Sequence, residues 1–177
     1  MLKPSTDNVV MPDSEKPYLN GWEHIADELR LLDIRIRLLL FEQSSQQREN
    51  PYEQLKGLVI PEEEVYRLLD DRREEIYNDS ETVQLLEKKK RIEFLIQKKR
   101  RLSEEKGIFL PLSYLAQIFD LTTFEVQCIL ICLAVEIDRK YEKLYAFLQD
   151  DVTCKKATVD LAITLLCDNP GEKLEAR

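Results

Sequence analysis

Four glycines in 177 residues leave little material for a loop whose backbone must close around a ligand. The chain has no Gly-x-x-x-x-Gly-Lys-Ser/Thr phosphate loop, no Gly-rich dinucleotide fingerprint and no Gly-x-Ser-x-Gly elbow. The lone histidine, His24, has no nucleophile or carboxylate dyad beside it, so a structural or exposed role is expected and no catalytic residue is assigned. The four cysteines (Cys128, Cys132, Cys154 and Cys167) lack both Cys-x-x-Cys spacing and a Cys/His cluster. They read as reduced core thiols rather than zinc ligands, and neither a metal nor a cofactor is expected in this chain. Asp150 and Asp151 are adjacent, which splays carboxylates apart, so a turn or cap is expected there rather than a cation site. No segment approaches the ~20 apolar residues of a bilayer-spanning helix, and no basic start precedes an apolar run. A cytoplasmic location without membrane contact is the expectation. Excess positive charge is also missing: the net charge is −8, which disfavours a general nucleic-acid binder.

What is present is apolar and charged in helical proportion, with 44% hydrophobic and 34% charged residues. The expected fold is all-α: a long antiparallel helical hairpin or three-helix bundle, followed by a compact helical module of winged-helix or helix-turn-helix type. Residues 1–19, rich in proline, are expected to be a disordered lead-in. Residues 20–107 form the long-helix bundle or stalk, 108–168 the compact module, and 169–177 a linker.

The stalk opens at Asn20, a helix cap with Glu23 three residues on. Trp22, Ile25, Leu29, Leu32, Ile36 and Leu39 step by threes and fours as a seam, widened by Leu31, Ile34, Leu38 and Leu40. Glu28, Arg30, Asp33, Arg35 and Arg37 are placed on a solvated flank. A second helix runs from Pro61 to about Asn78, with Val65, Leu68, Leu69 and Ile76 inward and Glu62, Glu63 and Glu64 suiting the helix dipole. A third begins at Asp79 or Ser80 and ends before Gly107, its seam Leu85, Ile92, Leu95 and Leu102 interrupted by Lys88 and Lys99. Helices two and three are expected to fold back on each other across Asn78 and Asp79.

In the compact module, Pro111 opens a helix with Leu112, Leu115, Ala116 and Phe119 on one face. It stops near Asp120. Thr122 and Glu125 have the form of a capping box, and the helix they open is apolar nearly all round, which predicts a central position. Asp138 is expected to cap a helix carrying Tyr141, Leu144, Tyr145 and Leu148, and a last helix carries Val159, Ala162, Leu165 and Leu166. A helix-turn-helix that read DNA would need cations on its second helix, yet no Lys or Arg occurs between Thr123 and Ile137. The most basic stretch lies elsewhere, in Lys88, Lys89, Lys90, Arg91, Lys98, Lys99, Arg100 and Arg101. It reads as a solvated face pairing with acidic neighbours such as the Glu62–Glu75 helix.

The string LAQIFDLTTFEVQCILICLAVEIDRKYEKLYAFLQDDVTCKKATVDLAITLL resembles the region upstream of the ATPase module in a family of bacterial AAA+ ATPases. Some of these accompany phage-tail-like contractile injection systems. The shared residues include Leu115-Ala116, Phe119, Phe124-Glu125, Glu136, Asp138, Tyr141, Leu148 to Thr153 and Thr158 to Ala162; Ala157 stands where the family often has proline. NPYEQLKGLVIPEEEVYRLLD is similar to a second family segment. The resemblance implies a non-catalytic N-terminal domain that recognises a protein partner or substrate, or helps assemble a ring, with ATP and Mg held by a parent protein of which this chain is a fragment. Candidate partner contacts are Lys88, Lys89, Arg91, Lys98, Lys99, Arg100 and Arg101, with Leu58, Val59 and Ile60. Homo-oligomerisation is compatible with this reading. The alternatives are a stand-alone helix-turn-helix regulator that binds nucleic acid and a structural coiled-coil oligomeriser.

Overall fold

A computed structural model describes residues 16–49, 62–69 and 79–167. Among the described residues the chain forms seven helices and no strand: α1 (Gly21–Glu49), α2 (Glu62–Leu68), α3 (Asp79–Glu105), α4 (Pro111–Phe119), α5 (Thr123–Ile137), α6 (Lys140–Leu148) and α7 (Val159–Leu166). The all-α expectation holds. None of these helices is long and apolar enough to cross a membrane.

Helix α1 starts where its cap predicts. The Glu23 N–H donates to Asn20 Oδ1 at 3.0 Å, and the Glu23 carboxylate accepts from the Leu19 N–H at 2.7 Å, so two backbone donors at the helix entry are satisfied reciprocally. Ile25, Leu31, Leu32, Ile34, Ile36, Leu39 and Leu40 are buried. Trp22, expected on the seam, is 59% exposed; the space against α3 at this end is filled by the fully buried Tyr18.

Contacts between α1 and α3 run in opposite sequence directions. Tyr18 meets Ser103, Glu23 and Asp27 meet Lys99, and Arg35 meets Glu93. Among the described residues the antiparallel partner of α3 is therefore α1, the helix expected to complete the bundle; the expected fold-back of the second helix on α3 runs through residues 70–78, outside the described residues. Helix α2 seats Val65 and Leu69 in the core, pairs Glu64 with Lys143 of α6 at 2.5 Å, and offers the Leu69 carbonyl to the Arg37 guanidinium. The Asn78 turn lies outside the described residues. On α3 the buried positions are Leu85, Ile96 and Ser103, while Ile92, Leu95 and Leu102 are half-buried. The seam thus turns partway round the helix from the expected register, and it admits Lys99 because that ammonium finds two carboxylates and a ring on the facing element.

The compact module is built from well-marked ends. Helix α4 stops at Asp120, which adopts the left-handed conformation (φ 51°), and the Leu121 N–H reaches back to the Ala116 carbonyl at 2.9 Å. Asp tolerates this region better than most non-glycine residues. The Thr122/Glu125 capping box forms in full: the Glu125 N–H donates to Thr122 Oγ1 at 3.3 Å and the Thr122 N–H donates to Glu125 Oε2 at 2.8 Å. Helix α5 buries Leu130, Ile131, Ala134 and Val135, but Cys132 is exposed and most of the other apolar residues are half-buried. It packs on α1, α4, α6 and α7, the central position expected of it, with Cys132 on the side left open.

Asp138 acts one residue away from its expected place, its Oδ1 accepting from the Lys140 N–H at 2.9 Å just ahead of α6. Helix α7 buries Leu161, Ile163 and Leu165, and leaves Val159 73% exposed. One core cluster joins Leu32 and Ile36 of α1 to Val65 of α2, Ile131 of α5, Tyr141 and Leu144 of α6, and Leu161 of α7. The long first helix and the compact module share that core.

Candidate functional site

The basic run of α3 does not form one surface. Successive helical residues diverge by ~100°, and Lys99, Arg100 and Arg101 accordingly go three ways. Lys99 turns inward, 3.5 Å from Glu23, 3.2 Å from Asp27 and 4.3 Å above the Tyr18 ring. Arg100 reaches the rim of a cleft, 4.0 Å from Glu104. Arg101 is exposed and pairs with Glu105 at 3.0 Å. Lys88 and Arg91 are exposed, and Lys89 and Lys98 are half-buried. The acidic partners of Lys99, Arg100 and Arg101 stand on α1 and on α3 itself. Glu64, from the helix expected to supply them, is taken by α6. Leu58, Val59 and Ile60 lie outside the described residues.

The helix-turn-helix pair presents a surface of another kind. From Gly107 to Asp138 there is no Lys or Arg, and Asp120, Glu125, Glu136 and Asp138 are all exposed. Beside them Phe109, Tyr114, Ile118 and Phe119 are each more than half exposed, with the Phe109 and Tyr114 rings edge to face at 5.2 Å. An acidic and aromatic surface repels phosphate and presents large apolar side chains to the outside.

Between α3 on one bank and α4 with the start of α5 on the other runs a cleft of about 370 Å³, floored by α1. Its floor holds His24 (1% exposed) and Glu28 (6% exposed), one helical turn apart on the same face. His24 Nε2 lies 3.4 Å from Glu28 Oε1, and the Gln127 amide of α5 donates to Glu28 Oε2 at 2.9 Å. Burial opposes the charge on Glu28, but the His24 ring and the Gln127 amide outweigh it and hold the carboxyl below the ordinary glutamate value. Three cleft residues carry buried polar atoms with no hydrogen-bond partner: both ring nitrogens of His24, Arg35 Nε and Ser113 Oγ.

Neither His24 nor Glu28 was placed here by sequence. Glu28 and Arg35, expected on a solvated flank, are buried or nearly so, because α3, α4 and α5 cover that side of α1. The i, i+4 spacing of His24 and Glu28 is the signal that could have joined them. No sequence feature links them to Ser113 or Gln127, which arrive from other helices.

Of the cysteines, Cys167 is buried, Cys128 and Cys154 are half-buried and Cys132 is exposed, so the expectation of mostly buried thiols is met at one position. Burial, with Cys132 and Cys167 nearby, pushes the Cys128 thiol up. Asp151 accepts from the Thr153 N–H at 2.8 Å and from its hydroxyl at 2.7 Å, in a turn as expected.

No curated protein and no solved structure matches the chain. The family model described as "Winged helix domain, variant" matches residues 10–177, nearly the whole sequence and all of the helices above. The chain therefore belongs to the variant winged helix domain family.

Proposed function

We propose that this chain is the non-catalytic, winged-helix-type N-terminal domain of an AAA+ ATPase, and that it works by protein recognition or ring assembly. The observation that carries the reading is the outward surface of α4 and α5, the pair that would address DNA in a helix-turn-helix. It exposes carboxylates and aromatic or aliphatic side chains, and no cation occurs in its sequence. Base and phosphate recognition both require donors there, chiefly arginine and lysine. The family string from Leu115 to Leu166 supports the ATPase parent. ATP and Mg would be bound by a phosphate loop that this chain does not contain.

Two measurements test the proposal. Fluorescence anisotropy of labelled duplex DNA at low salt is expected to show no saturable binding; binding that weakens steeply with salt would establish a nucleic-acid regulator instead. Immunodetection in the source cells, with sequencing of the reading frame past Arg177, is expected to reveal a larger protein carrying a Gly-Lys-Ser/Thr loop. A native protein of this chain's own size would remove the ATPase parent.

A further inference from the structure

Buried polar groups almost always find partners, because leaving one unmet forfeits its hydration without replacement. Here the unmet groups of three residues from two helices converge on one cleft: the His24 ring and Arg35 Nε from α1, and Ser113 Oγ from α4. His24 is fixed from below, its ring 5.1 Å from that of the buried Tyr18 and one nitrogen 3.4 Å from Glu28. The other ring nitrogen has no hydrogen-bond partner among the described residues.

We infer that this cleft is a peptide-docking site whose occupant is an uncharged segment of a partner protein, bound through its backbone or side-chain amides. The chemical class follows from the lining. Arg35 and Ser113 offer donors, His24 offers a donor and an acceptor in its neutral form, and Gln97 and Gln117 on opposite banks offer both. An amide brings C=O and N–H together on a neutral group and can answer such a mixed set. Charge argues against ionic ligands: Arg35 is already held by Glu93 at 3.2 Å and Arg100 lies by Glu104, so neither guanidinium is free to neutralise an anion, and Glu28 already has its partners. The volume, about 370 Å³, falls in the range of small-ligand sites, enough for a few residues of an extended segment. Tyr114 and Ile118, on the same helix as the cleft-lining Ser113 and Gln117, are more than half exposed.

This inference rests on the protein-recognition reading and specifies its site. The test uses random heptapeptides displayed within a loop, with no free termini, selected against the immobilised chain. Selected sequences are then titrated against wild type and against Gln97→Trp and Gln117→Trp, which place an indole at the mouth from either bank on exposed positions. Enrichment of uncharged, Asn- or Gln-bearing peptides is expected. Both tryptophan variants should weaken binding by at least about tenfold while keeping the wild-type circular dichroism and melting temperature. Amide shifts in labelled protein should centre on His24, Ser113 and Gln127. The inference is overturned if nothing is enriched, if the enriched peptides are charged, or if the tryptophan variants bind them as wild type does. Salt-dependent binding of duplex DNA would instead sink the recognition reading itself, whereas a negative peptide result without DNA binding removes this site alone.

Discussion

Gly21, at the start of α1, and Pro111, at the start of α4, approach so closely that a β-carbon on residue 21 would lie 2.3 Å from Pro111 Cδ and 3.2 Å from the Phe109 carbonyl oxygen. The docking of the long first helix on the compact module therefore depends on an absent side chain. Gly21→Ala should destabilise the protein by about 1–3 kcal/mol through overpacking, because a proline ring cannot swing aside. Calorimetry should show a fall in Tm of roughly 2–12 °C. An unchanged Tm would mean that the two helices slide apart freely.

Ser103 is fully buried at the other edge of that junction, where its hydroxyl accepts from the Tyr18 N–H at 2.8 Å and donates to the Lys99 carbonyl at 2.7 Å. Ser103→Ala leaves the Tyr18 N–H without its partner. The expected cost is about 1–3 kcal/mol in urea unfolding, with faster amide exchange at Tyr18. Ser103→Thr, which keeps the hydroxyl, should hold on to the slow exchange even if the added methyl lowers stability.

Lys99 and Arg101 should respond differently to the same reversal. Lys99→Glu would set a third carboxylate against Glu23 and Asp27, and is expected to cost about 2 kcal/mol or more; Arg101→Glu, at a position 83% exposed, should change stability by less than about 1 kcal/mol. Equal effects in chemical denaturation would contradict the inward placement of Lys99.

Gln149 organises the loop that follows α6. Its amide nitrogen lies 3.0–3.1 Å from the carbonyls of Tyr145, Cys154 and Lys156, which share its two hydrogens, and its Oε1 accepts from the Thr158 N–H at 3.1 Å. Asp150 beside it takes the left-handed conformation (φ 51°), and the Asp151 N–H closes back on the Ala146 carbonyl at 3.0 Å. Gln149→Ala should cost about 2 kcal/mol and raise amide exchange from Asp151 to Thr158. Gln149→Glu, which loses the donor, should do much the same.

Alkaline pH should unfold the protein through its buried tyrosines. Burial first, then nearby carboxylates, raise the hydroxyls of Tyr18 and Tyr141 far above the ordinary value; burial, then Cys132, does so for Tyr145. A raised folded-state value means that the stabilisation is complete below the unfolded value near 10 and is lost as pH rises above it. Absorbance at the phenolate band should show these three tyrosines ionising only together with unfolding. Ionisation at ordinary pH in the folded state would contradict their burial.

Local chemistry was legible in the sequence. Asn20 with Glu23 and the Thr122/Glu125 box are set by side chains bonding to backbone a few residues away, and Pro111 and Gly107 by their own backbone preferences, so position in the chain is enough to place them. The absence of cations from α5, and with it the case against DNA, is likewise a property of composition alone.

Which helix meets which was decided only in three dimensions. A short loop suggested that α3 would pair with α2; among the described residues α3 lies along α1, where Lys99 and Glu93 find their partners, and α2 lies on α6. The cleft is further still from the sequence. Glu28 looked like a solvent-facing residue and His24 like a structural or exposed one, and only the arrival of Gln127 and Ser113 from helices about 90 positions away makes them the floor of a site. Caps and charge composition are local or additive, and are carried by the chain itself; burial is a relation between distant surfaces, and only the packed structure determines it.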